Sequence, residues 1–323
     1  MSSMRAEARI YVAGHRGLAG SAIVRRLQRA GYRNLITRTH AELDLVDAAA
    51  VRRFFRDEKP EYVFLAAAKV GGILANSTFP AEFIFQNLAI QTSVIHESWR
   101  AGVKRLLFLG SSCIYPRECP QPMKEEYLLT GPLEPTNRPY AIAKIAGVET
   151  CSAYNRQYGT RFLAVMPTNL YGPGDNYDLE TAHVLPALIR KMHEARERGD
   201  HEIVIWGTGT PRREFLYSDD MAEACLVLMR LPDAQFTDVI TQYPPLINIG
   251  CGSDLTIREL AETVAKVVGF KGALRFDPSK PDGTPRKLLD VTHMFALGWR
   301  PATGLEAGIA LAHKDYLARL VPA

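Results

Sequence analysis

"RIYVAGHRGLAGSAIVRRLQRAG", residues 9–31, decides the fold. It opens on a short apolar run of strand length and closes on an amphipathic stretch from Leu18 to a helix-ending Gly31. Between the two, Gly14, Gly17 and Gly20 are spaced G-x-x-G-x-x-G. In such a loop the first glycine makes a tight turn and the second lets backbone approach a pyrophosphate. The third packs helix on strand, and the helix N-terminus faces the anion. A dinucleotide site in a first βαβ unit is the reading.

Working outward, "NLITRT" continues as a strand and "DAAAVRRFFRDEK" (47–59) as a helix with Asp47 as N-cap. "EYVFLAA", "RLLFLGSS" and "RFLAVMPTN" repeat the strand signal, with helical stretches near 80–101 and 139–158. Alternation of this kind predicts an α/β fold with a doubly wound parallel sheet of the Rossmann type. Past residue 170 the rhythm breaks. "YGPGDNYD" is turn-rich, "LPALIRKMHEARERG" helical and "EIVIWG" a short strand. After "REFLYSDDM" a helix starts with Asp219 and Asp220 as capping candidates; "DLTIRELAETVAKVVG" is another helix, and "DPSKPDGTPRK" (277–287) a proline-rich basic loop. The expected division is a dinucleotide-binding domain over 1–170, to which 214–250 returns, and a smaller interleaved substrate domain over 171–323, mainly 171–213 and 251–323. Their cleft would lie at the carboxyl ends of the strands, where open α/β sheets bind ligands.

The totals fit a globular protein: 323 residues, 47% hydrophobic, 23% charged, net charge +4. That charge gives no nucleic-acid footprint. Five cysteines (113, 119, 151, 225, 251) without metal-like spacing suggest free thiols in a reducing compartment. No apolar run reaches the length of a signal peptide or spanning helix, so no membrane role and a cytoplasmic location are expected.

Charge sets the cofactor. NAD's ribose hydroxyls call for an acid at the end of the second strand. Here that strand ends "ITRTH", with Thr37, Arg38 and His40, and Arg16 sits in the glycine loop. Cations without an acid favour a 2′-phosphate, hence NADP(H). Asp44 either binds the adenine amino group or sits in a turn. Further on, "TNRPYAIAKIAGVE" puts Tyr140 and Lys144 on one helical face, after a proline suited to a first turn. A lysine one turn from a tyrosine can lower the phenol's pKa toward neutrality.

With Ser111 one strand earlier, these residues make the serine–tyrosine–lysine set of the short-chain dehydrogenase/reductase superfamily, and the chain from residue 9 to about 300 resembles its extended branch. "VAGHRGLAGSAI", "LAAAKVGGI", "LGSSCIYP", "EPTNRPYAIAKIAG", "MPTNLYGPGDN", "HVLPALIRK", "WGTGTPRREFL" and "SKPDGTPRKLLDV" are similar to the GDP-L-fucose synthase family within it. The resemblance implies a homodimer that uses NADPH on a GDP-4-keto-6-deoxy sugar, inverting C3 and C5 and reducing C4. It implies Tyr140 as proton donor, Ser111 polarising the C4 oxygen, Lys144 adjusting the tyrosine and holding the cofactor ribose, and Cys113 and His183 as the acid–base pair of epimerisation. It implies Pro167, Asn169, Leu170 and His183 in the cofactor site, and Lys191, Trp206, Arg213 and Asp282 for the GDP-sugar. Arg286 is a further phosphate candidate. In the family an arginine often stands where this chain has His40, which shifts the 2′-phosphate grip toward Arg16 and Arg38.

Read without the resemblance, Cys113 is equally a small apolar filler and His183 a capping or solvated histidine. A thiolate at Cys113 would need a cation, with Lys144 or protonated His183 as candidates. A 4,6-dehydratase would carry Thr-Asp-Glu where this chain has Ser-Cys-Ile. A GDP-colitose-type synthase, inverting C5 alone, and a non-catalytic dinucleotide sensor are the remaining alternatives; the sensor commonly lacks the tyrosine or lysine.

Overall fold

In the computed structural model, which describes residues 4–280 and 282–320, the opening stretch becomes β1 (Ile10–Ala13) and α1 (Leu18–Arg29). β2 (Leu35–Ile36) is only two residues long, because the chain turns away after Ile36. α2 (Ala48–Glu58) follows, and the Asp47 side chain accepts from the Ala49 and Ala50 amides. Then come β3 (Tyr62–Leu65), α3 (Ile73–Thr78), α4 (Pro80–Arg100), β4 (Arg105–Leu109), α5 (Arg138–Tyr158) and β5 (Phe162–Pro167). Pro80 and Pro139 stand in the first turns of α4 and α5, where a missing amide hydrogen costs nothing.

The second half holds β6 (Asn169–Tyr171), α6 (Val184–Arg198), β7 (Glu202–Trp206), β8 (Arg212–Arg213), β9 (Phe215–Tyr217), α7 (Ser218–Arg230), α8 (Asp233–Thr241) and β10 (Leu246–Ile249). It ends with β11 (Leu255–Thr256), α9 (Ile257–Val268), β12 (Ala273–Asp277), β13 (Arg286–Lys287), α10 (Thr292–Ala296) and α11 (Leu305–Leu320). The main sheet is parallel in the order β10-β5-β4-β3-β1-β2. All of its strands but the edge strand β2 are fully buried runs, as expected where helices cover both faces. One apolar cluster joins α1, α7 and α8 to the sheet, and another joins α2, α4 and α5. A third, between α6, α9, α11 and β7, stands apart.

Two buried charges tie late segments to early ones. Arg105, at the start of β4, donates to the carbonyls of Met229 (3.1 Å) and Leu231 (2.8 Å), pairs with Asp233 (2.6 Å) and stacks on Phe236. Glu214 has no exposed surface; it accepts from the Gly252 (2.7 Å) and Leu289 (3.0 Å) amides. The expected capping role of Asp219 and Asp220 is corrected: Tyr217 is the N-cap residue of α7. Asp219 instead pairs with Arg25 (2.5 Å) and Arg29 (2.9 Å) of α1, and Asp220 accepts from Thr303 (2.8 Å). Tertiary partners outbid the helix end for both carboxylates.

Candidate active site

The glycine loop lies between the ends of β1 and β3. A Cβ on Gly14, whose φ is +81°, would stand 2.7 Å from the Ala67 amide nitrogen, and one on Gly20 would fall on the Gly14 carbonyl. Gly17 is the N-cap of α1 and supplies no side-chain cap, so the first amides of the helix stay available to an anion. The loop is a cradle shaped for a pyrophosphate.

At its ribose end the charges differ from the sequence reading. Arg38 is ion-paired with Glu58 and donates to the Thr37 carbonyl (2.7 Å). Glu42 folds back to accept from the Thr39 amide (2.7 Å), so an acid does stand near this strand end. Arg16 is exposed and His40 lies in solvent 3.7 Å from Asp44. Asp44 serves a turn, accepting from the Val46 amide (2.9 Å). His15, which the sequence reading missed, hydrogen-bonds the Arg38 backbone; the surrounding protein and then Arg16 hold its pKa low.

The reductase set converges at the end of β4. Ser111 caps the short 3₁₀ turn Ser112–Ile114, accepting from the Cys113 amide at 3.5 Å. That turn brings the Cys113 thiol under the same hydroxyl, and Ser111 also bonds the Tyr140 phenol. Tyr140 packs edge-on against Phe83 with centroids 6.2 Å apart. One helical turn on, the Lys144 ammonium donates to the Leu109 carbonyl (2.8 Å) and lies 5.8 Å from the Tyr140 ring centroid. Burial brings Lys144 down to about 8, with Cys113 opposing. The expected depression of the tyrosine is not what the free protein has: burial pushes the Tyr140 phenol well up, Cys113 adds to it, and only Ser111 pulls it back. The Lys144 ammonium is spent on Leu109 and burial wins.

Cys113 is buried, 5% exposed, and burial raises its thiol; Ser111, then Lys287, then Lys144 pull it down. His183 is the N-cap residue of α6 but makes no capping bond, and it is exposed. Desolvation by the surrounding protein, then the charge of Lys287, holds its imidazole below the ordinary value. Pro167 ends β5, Leu170 lies in β6, and the Asn169 amide donates to the Glu214 carbonyl (2.8 Å).

Beyond the cleft, Trp206 is 61% exposed, with the ammoniums of Lys191 and Lys280 at 6.0 and 5.5 Å from its ring. Arg213 is part-buried, its guanidinium donating to the Arg212 carbonyl (2.8 Å); burial holds its pKa low and Asp282 opposes. Asp282 accepts from the amide (2.7 Å) and hydroxyl (2.8 Å) of Thr208, and so braces the Trp206–Thr210 loop in addition to any ligand contact. Arg286 is shared with Arg212 on Asp254, at 2.5 and 2.9 Å, which makes it a weaker phosphate candidate than its position in the loop suggested. Lys287 and Glu214 were missed: Glu214 is fully buried just after β8, and Lys287 is part-buried on β13 beside β8, positions that their sequence neighbours do not flag.

The sequence model of the NAD dependent epimerase/dehydratase family matches residues 10–250. The chain belongs to this family. Among epimerase/dehydratase relatives, GDP-L-fucose synthase 1 of Arabidopsis thaliana is 57% identical over 96% of this chain and 93% of its own length. GDP-L-fucose synthase of Escherichia coli (strain K12) is 54% identical over 96% of both. A crystal structure of a GDP-L-fucose synthetase from Naegleria fowleri bound to NADP superposes with a TM-score of 0.87 at 28% identity, covering 99% of this chain and 97% of that one.

Proposed function

We propose that the protein converts GDP-4-keto-6-deoxy-D-mannose to GDP-L-fucose, using NADPH, by epimerisation at C3 and C5 and reduction at C4 in one site. One observation carries the reading: a reductase set (Ser111, Tyr140, Lys144) shares its serine hydroxyl with a cysteine, and the charge of Lys287 acts on both that cysteine and a histidine, His183. A plain ketoreductase has no use for the extra pair. NADPH, held by the Gly14–Gly20 cradle, Arg16 and Lys144, supplies the hydride.

The residues divide the remaining work. The protons at C3 and C5 are acidic because both lie α to the C4 ketone. Cys113 removes a proton from one face, Ser111 and Tyr140 hydrogen-bond the oxygen that gains charge, and His183 returns a proton to the other face. Tyr140 then gives its proton to that oxygen. Burial, which keeps the phenol protonated, suits a donor. Trp206, Lys191, Lys280 and Arg213 would receive the GDP, the tryptophan stacking on the base and the arginine gripping phosphate. We further propose that the boundary between cofactor and substrate parts falls near residue 170, that the chain acts in the cytoplasm, and that it forms a homodimer. Exposed Phe85 on α4 and Ile142 and Tyr158 on α5 support an interface there; sedimentation of the purified chain tests it.

The deciding experiment incubates the protein with NADPH and GDP-4-keto-6-deoxymannose in deuterated water. The expected product carries deuterium at C3 and C5 with NADPH oxidised in step. Deuterium at C5 alone points to a colitose-type enzyme, and oxidation without deuterium to a ketoreductase. Cys113→Ser should lose both exchanges and keep cofactor binding.

A further inference from the structure

The turn that carries Cys113 is loosely tied within itself. Its amide bonds are long: Ile114 to the Ser111 carbonyl at 3.2 Å, Tyr115 to the Ser112 carbonyl at 3.5 Å, and Cys113 to the Ser111 hydroxyl at 3.5 Å. Backbone bonds to other elements flank it, from the Gly110 amide to the Val165 carbonyl (2.8 Å) and from the Arg117 amide to the Pro132 carbonyl (2.9 Å). Ser111 therefore adjoins a residue paired to β5, whereas Cys113 stands in mid-span. A base that must meet carbon from one face needs a firmer hold, because a small displacement costs much of the rate.

Tyr115, two residues on, supplies that hold. Its side chain is buried, 3% exposed, so its hydroxyl must find a partner inside the protein. It donates to Asn248 Oδ1 of β10 at 2.6 Å. Asn248 has no exposed surface, and its other polar groups are also engaged. Its Nδ2 donates to the Met123 carbonyl (2.9 Å), which turns Oδ1 toward the phenol, and its backbone amide donates to Glu125 Oε1 (3.0 Å). Glu125 is buried too, and His293 Nδ1 of α10 stands 3.5 Å from the same oxygen. Met123 is fixed in turn, its amide donating to the Leu288 carbonyl (2.7 Å) and its carbonyl receiving the Asp290 amide (2.8 Å). A chain of satisfied polar groups thus runs from the Cys113 turn through the edge strand β10 to α10. In a dry interior such a network holds one geometry, since any other would leave a polar group unpaired.

We propose that Tyr115 is a positioning residue for epimerisation: its hydroxyl, seated on Asn248, anchors the Cys113 turn to β10 and so aims the thiol at the sugar carbons. The inference rests on the epimerase reading above. Tyr115 exchanges no proton with the substrate and acts only through the cysteine. Hydride transfer is set apart from it, because Ser111 is anchored through Gly110 to β5, and Tyr140 and Lys144 belong to α5.

The test separates epimerisation from hydride transfer by running the reaction backward. Wild type, Tyr115→Phe, Asn248→Ala and the double variant are each mixed with NADP and GDP-L-fucose in deuterated water. The NADPH burst reads the Ser111–Tyr140–Lys144 step, and deuterium at C3 and C5 of the recovered sugar, per NADPH formed, reads epimerisation. Phenylalanine fills the place of the ring and removes the hydroxyl alone. Tyr115→Phe should lower the deuterium ratio about ten- to a hundredfold while the burst stays within a few-fold of wild type. In the Asn248→Ala background the same change should lower the ratio no further, because the anchor is already gone. A ratio within about threefold of wild type in Tyr115→Phe would sink the proposal. So would an equal loss of burst and exchange, which would make the phenol a support of the whole site, or a full further loss in the Asn248→Ala background. Should Asn248→Ala not fold, the Tyr115→Phe ratio decides alone. If wild type itself shows a burst and no exchange, the epimerase reading fails and this inference falls with it.

Discussion

The Lys144 ammonium, brought down to about 8 by burial, makes the reductive half of the reaction pH-dependent. Below that pH the lysine is a cation able to hold the cofactor ribose; above it the charge is lost. Because kcat/KM reads the ionisations of the free enzyme, kcat/KM for NADPH-dependent reduction should fall above about pH 8, tenfold per pH unit. Lys144→Arg, which stays charged, should remove that falling limb while lowering the rate throughout, because a guanidinium fork does not replace a compact ammonium. A wild-type profile flat to about pH 9.5 would show that this lysine's charge does not govern the step. At this scale the sequence was readable where residue type alone constrains chemistry. Tyr140 and Lys144 announce themselves by spacing on a helix. Lys287 does not, because nothing about an Arg-Lys pair in a basic loop says which side chain is part-buried; that depends on a strand pairing to Arg212 and Arg213, about 74 residues away in sequence.

Elements were the most legible level. The helix over 47–59 begins and ends within a residue of α2, because an aspartate cap and an amphipathic repeat are local signals. The strand "NLITRT" shrinks to Leu35–Ile36 because Arg38 swings to Glu58 and Thr39 closes a turn with Glu42, contacts that local propensity does not encode. The loop from β1 to α1 offers a sharp comparison within itself. A methyl on Gly20 collides with the Gly14 carbonyl, whereas one on Gly17 meets that oxygen at 3.5 Å, an ordinary contact. Gly20→Ala should therefore cost about 1–3 kcal/mol in urea unfolding, the range for overpacking, and on the order of tenfold or more in NADPH affinity by fluorescence titration. Gly17→Ala should leave the stability of the free protein within about 0.5 kcal/mol. Equal losses for both would mean that the loop yields more readily than its close contacts imply.

For the whole molecule, the turn-rich segment after β6 matters as much as the sheet. Gly174 packs beside Ser21 of α1 and its amide donates to Asp315 of α11 (3.2 Å), while Arg319 donates to the Asp175 carbonyl (2.8 Å). The segment thus joins the cofactor helix to the last helix. Within it, Asp175 is 7% exposed, has one oxygen without a partner, and is pushed by burial up to about 7. An unfolded aspartate titrates near 4, so between about pH 4 and 7 the folded chain binds the extra proton and stability falls as pH rises. Asp175→Asn should raise stability by about 1–4 kcal/mol at pH 8 and change it little at about pH 4, as read from thermal unfolding at the two values. A gain of the same size at both would mean that the charge is not the cause. The α/β class and the returning segment near 214–250 could be read from periodicity; the seat of Asp175 could not, since it depends on three elements drawn from distant parts of the chain.

Sheet order also fixes when the protein can finish folding. α7 covers α1, β10 closes the open edge of β5, and Arg105 at the head of β4 finds its partners in the carbonyls of Met229 and Leu231 and the carboxylate of Asp233. During synthesis, the first five sheet strands leave the ribosome with one flank bare and a buried arginine unanswered. The cofactor fold is completed only after Ile249 has been made, when the segments that carry Trp206 and Arg213 are already out. A nascent chain stalled near residue 170 is therefore an aggregation-prone intermediate with an exposed parallel strand edge, and no independent nucleotide-binding module.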